Sequence, residues 1–177
     1  MTTTEYLRTP EMLTPHELIY GELRVAEAPT VRHQRLVGDL FKALDAHVQA
    51  SGLGEVILAP VDVILDSRRH LIVQPDLVFV SARRASIVHD CIWGAPDLVI
   101  EVLSPRPRIG DLGERLSWFA EHGVTEAWLV HQIDRSVQVL CLERAGNVKR
   151  RTFARADPLV SVVLPDFGRS LASISRW

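Results

Sequence analysis

The segment PDLVIEVL, Pro96 to Leu103, sets an ionisable carboxylate inside an otherwise apolar run. Val99, Ile100, Val102 and Leu103 are the residue types that fill a strand buried on both faces. Glu101 among them is costly unless something cationic neutralises it, and a metal ion is the simplest such partner. Ser104, Pro105, Pro107 and Gly110 then break the strand. From Asp111 a helical pattern begins in which Leu112, Leu116 and Phe119 share one face. Strand, loop and helix therefore bring Glu101 and the first helical turn into one neighbourhood.

The tetrapeptide PDLV occurs twice, at Pro75–Val78 and Pro96–Val99, so two aspartates compete as carboxylate partner for Glu101. Asp97 stands four residues from Glu101 on the same strand, about 13 Å away at about 3.3 Å per residue, too far to share one ion. Asp76 falls in a separate apolar strand, Val73 to Val80, and can lie beside Glu101. The structural alternative is a pair of acids hydrogen-bonded to backbone or held by arginines, with Asp97 a polar residue where its strand begins. Arg115 has its own plain reading, an exposed i,i+4 pair with Asp111. Arg83, Arg84, Arg106 and Arg108 lie in segments from which they could contact phosphate or simply remain solvated.

Upstream, Glu17 to Ala26 reads as two short strands about a Tyr20-Gly21 turn, with Glu22 just past it. Thr30 is a candidate N-cap, and Leu36, Val37, Leu40, Phe41, Leu44 and Val48 recur at helical spacing until Ser51-Gly52. His33 falls in the first turn of that helix, where a lone histidine is ordinarily a surface or capping group. Glu55 to Leu65 reads as a strand interrupted near Pro60. Beyond Gly123, the segments 126–131, 137–142, 148–153 and 159–164 read as an antiparallel meander, with turns at 133–136 and 145–147. Trp118 and Trp128 are expected in the core, and 166–177 as a closing segment.

A chain of 177 residues, 47% hydrophobic and 24% charged, suits one domain spanning 1–177 that buries a core without disulfides. Cys91 and Cys141 read as reduced packing residues. No apolar run approaches a membrane span, so the expectation is a soluble, cytoplasmic protein with no membrane partner. A formal net charge of -2 argues against coating nucleic acid by bulk electrostatics and leaves room for a local basic groove.

Two carboxylates from neighbouring strands, with a cation from the next helix, are what metal-assisted phosphodiester hydrolysis requires. Hard oxygen ligands suit Mg²⁺ or Mn²⁺, which keeps waters, and the cation offsets charge growing on the phosphate. No G-x-S-x-G elbow, GxxxxGK[ST] loop or HExxH helix offers a competing chemistry.

PDLVFV, PDLVIEVLSP, the D-x-x-x-R of GDLGERLSWFAEHGV, and EAWLV follow in order the pattern of the Uma2 (DUF820) family of restriction-endonuclease-like proteins. The upstream ELIYGELRVAEAPTVRHQRLVGDL is similar to that family as well, so the resemblance covers about residues 14 to 170. It implies a PD-(D/E)XK nuclease fold, of α/β (α+β) class, with a mixed β-sheet flanked by helices. It also implies a Mg²⁺-dependent nuclease site, where Mn²⁺ could stand in; DNA is the expected partner, and a homodimer is one assembly such a fold could adopt as an interaction module. Asp76 and Glu101 match the metal-binding acids, while Glu22 and His33 match upstream polar positions. The departure is at the lysine. Leu103 stands where the usual strand motif has it, and Arg115 stands where this family supplies it from the following helix. Arginine keeps the charge and cannot act as a base. Two expectations follow: an endonuclease in which Arg115 assists at the phosphate, or a weakened nuclease fold serving as a nucleic-acid-binding or protein-interaction module.

Overall fold

The structure, a computed structural model, describes residues 1–10, 14–104, 111–143 and 148–176. Pro105, Arg106, Pro107, Arg108 and Gly110, the turn expected at 145–147 and the terminal Trp177 lie outside the described residues.

A short helix α1 (Thr3–Leu7) leads into the hairpin β1 (His16–Ile19) and β2 (Glu22–Val25). Tyr20 and Gly21 form its two-residue turn with φ of 51° and 90°, the left-handed pair whose twist matches the flanking strands. The long helix α2 (Val31–Ser51) begins where the Thr30 side chain accepts from the His33 N–H at 3.2 Å and stops at left-handed Gly52. Its buried stripe is Leu36, Val37, Leu40, Ala43, Leu44 and Val48.

The strands β3 (Gly54–Leu58), β4 (Val63–Asp66), β5 (Leu71–Val73), β6 (Leu77–Ser81), β7 (Ile92–Trp93) and β8 (Leu98–Leu103) come next. Then follow α3 (Leu112–His122), β9 (Glu126–His131), β10 (Ser136–Leu142), β11 (Val148–Phe153) and α4 (Leu171–Ile174). The strands make two mixed sheets, one ordered β11-β10-β9-β8-β6-β3 and the other β2-β1-β5-β4-β7. β8 and β9 run parallel, joined across α3, as do β4 and β7, while the other named pairs are antiparallel.

The six-stranded sheet is buried on both faces because β8 alternates what it presents. Leu98, Ile100 and Val102 pack with the α2 stripe. Val99 faces the other way, into a layer shared by Trp118 and Phe119 of α3 and by Ile19, Val63, Leu71 and Val73 of the five-stranded sheet. By the same alternation Glu101 belongs to that inter-sheet layer, and so does Glu17, two residues before Ile19.

Mixed β-structure flanked by helices is as expected, with three corrections. The segment 55–65 is two strands in different sheets rather than one interrupted strand, because the chain breaks at Pro60 and crosses from one layer to the other. The segment 73–80 is likewise split: β5 ends at Val73, and Asp76 sits in the bend before β6. Residues 159–164 form no strand, and only an isolated bridge joins Pro158 to Ser170. Trp118 and Trp128 are core residues and both cysteines are free.

Candidate active site

The β6–β8 register pairs Leu77 with Ile100. Carried one residue outward, it sets Asp76 across from Glu101, as the exclusion of Asp97 required. Asp76 Oδ2 accepts from the Val102 N–H at 2.7 Å and lies 3.2 Å from His33 Nε2, which α2 delivers from its first turn. Glu101 Oε1 accepts from Arg115 Nε at 2.7 Å. Arg115 projects from the first turns of α3, and the same guanidinium donates through Nη1 to Glu17 Oε2 at 2.8 Å. Arg115 is only 6% exposed, so the reading of a solvated pair with Asp111 is overturned. Asp111 instead caps α3, accepting from the Gly113 N–H at 2.6 Å.

Two expected positions do not join this group. Glu22 is exposed on β2, with Arg24 at 3.8 Å as its ion-pair partner. Among the described residues it contacts neither Asp76, Glu101 nor Arg115 through a hydrogen bond or ion pair. The reason is its place at the edge of the sheet. Glu22 pairs with Ile19 in the register and shares its face, but it lies beside the turn on the edge strand β2, whereas Glu17 lies on β1, paired inward with β5, and is buried. Sequence reasoning missed Glu17, although its place two residues before buried Ile19 was the available signal. Arg84 is occupied as well, 3.6 Å from Asp97 Oδ1 and donating to the Ala95 carbonyl. Asp97 Oδ2 accepts from the Ser81 N–H at 2.8 Å. The second PDLV acid is therefore a structural clamp.

Electrostatics single out Glu101. Burial pushes its carboxyl up to about 7; Arg115 pulls it down, but the neighbouring charges of Asp76 and Glu17 push further up. Burial alone would lower His33, yet its hydrogen bond and charge contact with Asp76 prevail and raise it. Arg115 is held above its ordinary value: burial opposes its charge, and Glu101 and Glu17 more than offset that. Asp76 Oδ1 and Glu101 Oε2 accept no hydrogen bond from the described residues, so with respect to these residues each acid keeps one oxygen available. His33 Nδ1 is buried with no partner among them. No set of three His, Cys, Asp or Glu side chains suited to a metal converges among the described residues. A cavity of about 780 Å³ lies elsewhere, along the exposed side of α2 between Arg32, Arg35, Lys42 and Arg176.

A family model for Uma2, described as "Putative restriction endonuclease", matches residues 3–172. The chain belongs to the Uma2 family. Among solved structures it is similar to "a putative nuclease belonging to DUF820" from Anabaena variabilis ATCC 29413. That likeness has a TM-score of 0.80 at 20% identity and covers 98% of this chain and 97% of the other. At that identity the likeness is one of fold. No curated protein matches. The Uma2 match spans both PDLV strands and α3. Among the described residues no helix is long and apolar enough to cross a membrane.

Proposed function

We propose that this Uma2 protein is a divalent-cation-dependent endonuclease that hydrolyses phosphodiester bonds in DNA. The observation that carries the reading is the convergence of Asp76 and Glu101 from adjacent strands, each with one uncommitted oxygen, beside a guanidinium. Two carboxylate oxygens are a sufficient protein share for Mg²⁺ or Mn²⁺, which fills its other positions with water or substrate oxygens. Bound there, the ion would polarise the phosphate and lower the pKa of water.

The chain's own residues do the rest. The Val102 N–H and His33 hold one Asp76 oxygen and thereby orient the other. Arg115 holds one Glu101 oxygen in the same way and sets a permanent positive charge where negative charge develops on the phosphate. It cannot take a proton from water, so Arg115 serves as an electrostatic and orienting group. The test is nicking of supercoiled plasmid by purified protein in Mg²⁺ or Mn²⁺. Glu101→Ala should abolish it, and nicking that survives this change would exclude the site.

A second reading has its own observation. Arg115 is buried and already engaged by two carboxylates, which leaves its guanidinium little freedom to meet a phosphate. A nuclease fold so restrained would act as a binding module for nucleic acid or protein. Titration of labelled duplex DNA without metal separates the two: binding that needs no divalent ion, with no turnover when the ion is added, favours the module.

A further inference from the structure

Glu17 is 5% exposed, and both of its carboxylate oxygens are used. Oε1 accepts from the Gln74 N–H at 2.7 Å and Oε2 from Arg115 Nη1 at 2.8 Å. Gln74 stands two residues before Asp76. Its side-chain amide donates at 2.9 Å to Asp62, which also accepts from the Tyr6 hydroxyl at 2.9 Å. One carboxylate thus fastens both the guanidinium on Glu101 and the backbone leading into Asp76.

Charge points the same way. With His33 neutral, the carboxylates of Glu17, Asp76 and Glu101 face a single guanidinium, Arg115, among these described groups. The excess is the charge of one divalent ion, and the one uncommitted oxygen on each of Asp76 and Glu101 suits one ion that retains water. A second ion would need the Glu101 and Glu17 oxygens that Arg115 holds.

We propose that Glu17 is a positioning residue that keeps Arg115 against Glu101 as a resident cation, so that Asp76 and Glu101 take a single divalent ion. The proposal rests on the metal-dependent reading above. Its test is Mn²⁺ titration of the metal-free full-length protein at about pH 8. Electron paramagnetic resonance of the free ion gives stoichiometry and affinity apart from any cleavage.

One Mn²⁺ per chain is expected for the native protein. Glu17→Gln should weaken binding by about tenfold, because the negative excess falls. Arg115→Gln should tighten it by about tenfold or admit a second ion. The double variant Glu17→Gln/Arg115→Gln removes both members of the pair and should return to within a few-fold of native affinity; it decides the matter if either single variant fails to fold. A Glu17 with a merely structural role would lower the melting temperature and leave Mn²⁺ affinity unchanged. Two ions or none on the native chain, native affinity in folded Glu17→Gln, or a double variant far from native affinity would overturn the proposal. Single-ion binding with these shifts but no nicking would defeat the nuclease reading alone. Nicking with two ions bound would defeat only this one.

Discussion

Glu101 and His33 both hold protons more tightly in the folded chain than they would in the unfolded one. Glu101 rises from 4.5 to about 7 chiefly through burial, and His33 rises from 6.5 because its contact with Asp76 outweighs burial. The sign is the same for both. Where the folded state binds more protons, stability falls as pH rises. The contribution of His33 is complete below 6.5 and lost as pH climbs through its raised value. For Glu101 the loss runs from 4.5 to about 7. Metal-free protein should therefore be less stable at about pH 8 than at about pH 5, by on the order of 1–3 kcal/mol. Urea denaturation at the two pH values measures this. Glu101→Gln should flatten the slope, and an unchanged slope in that variant would refute the assignment.

At the scale of elements, the repeated PDLV is a local two-fold arrangement on antiparallel β6 and β8. Each aspartate lies just before its strand and accepts from a backbone N–H on the other, Asp76 from Val102 and Asp97 from Ser81. The two ends differ in what surrounds the carboxylate. Asp97 is 3% exposed with Arg84 for company, whereas Asp76 meets His33 and adds to the negative charge at Glu101. Asp97→Ala should cost about 1–3 kcal/mol, since it strips the part-buried Ser81 N–H of its acceptor and Arg84 of its ion-pair partner. Asp76→Ala should cost less, because relief at Glu101 offsets the lost hydrogen bond, and it should abolish nicking. Denaturation midpoints of the two variants, measured side by side, check the asymmetry. Sequence reasoning anticipated the hairpin, α2 and β8 because each carries local punctuation: Gly21, Thr30 with Gly52, and the apolar run that ends at Ser104. It misread 55–65 and 73–80 because a change of sheet, at Pro60 in the first and between Val73 and Leu77 in the second, leaves hydrophobic periodicity on both sides intact.

For the molecule as a whole, one buried acid away from the site does the work a strand was expected to do. Glu126 is fully buried and accepts from Trp128 Nε1 at 2.6 Å, the Ser161 hydroxyl at 2.6 Å and the Val162 N–H at 2.8 Å. These bonds dock 159–164 on the six-stranded sheet without a ladder, while Leu159, Leu164 and Phe167 fill the core shared with α2. Glu126→Ala should destabilise the fold by about 2–4 kcal/mol and make 155–170 the first segment cut in limited proteolysis. A variant with native protease resistance would show that apolar packing alone holds the segment.

Residue types and spacing by themselves determined that Glu101 is an acid in a buried strand, that Asp97 lies too far along the same strand to join it, and that Asp76 can. Those conclusions depend only on strand rise and the cost of burying charge, which act locally. Tertiary structure decided the rest. Glu17 and Glu22 share a face of the hairpin, and which of them is buried depends on which strand pairs inward with β5 and which is left at the edge; no local pattern states that. Arg115 could pair with Asp111 four residues back or with Glu17 and Glu101 from two different sheets. It takes the latter because packing α3 between the layers removes water from its guanidinium, and only buried carboxylates then remain to balance its charge.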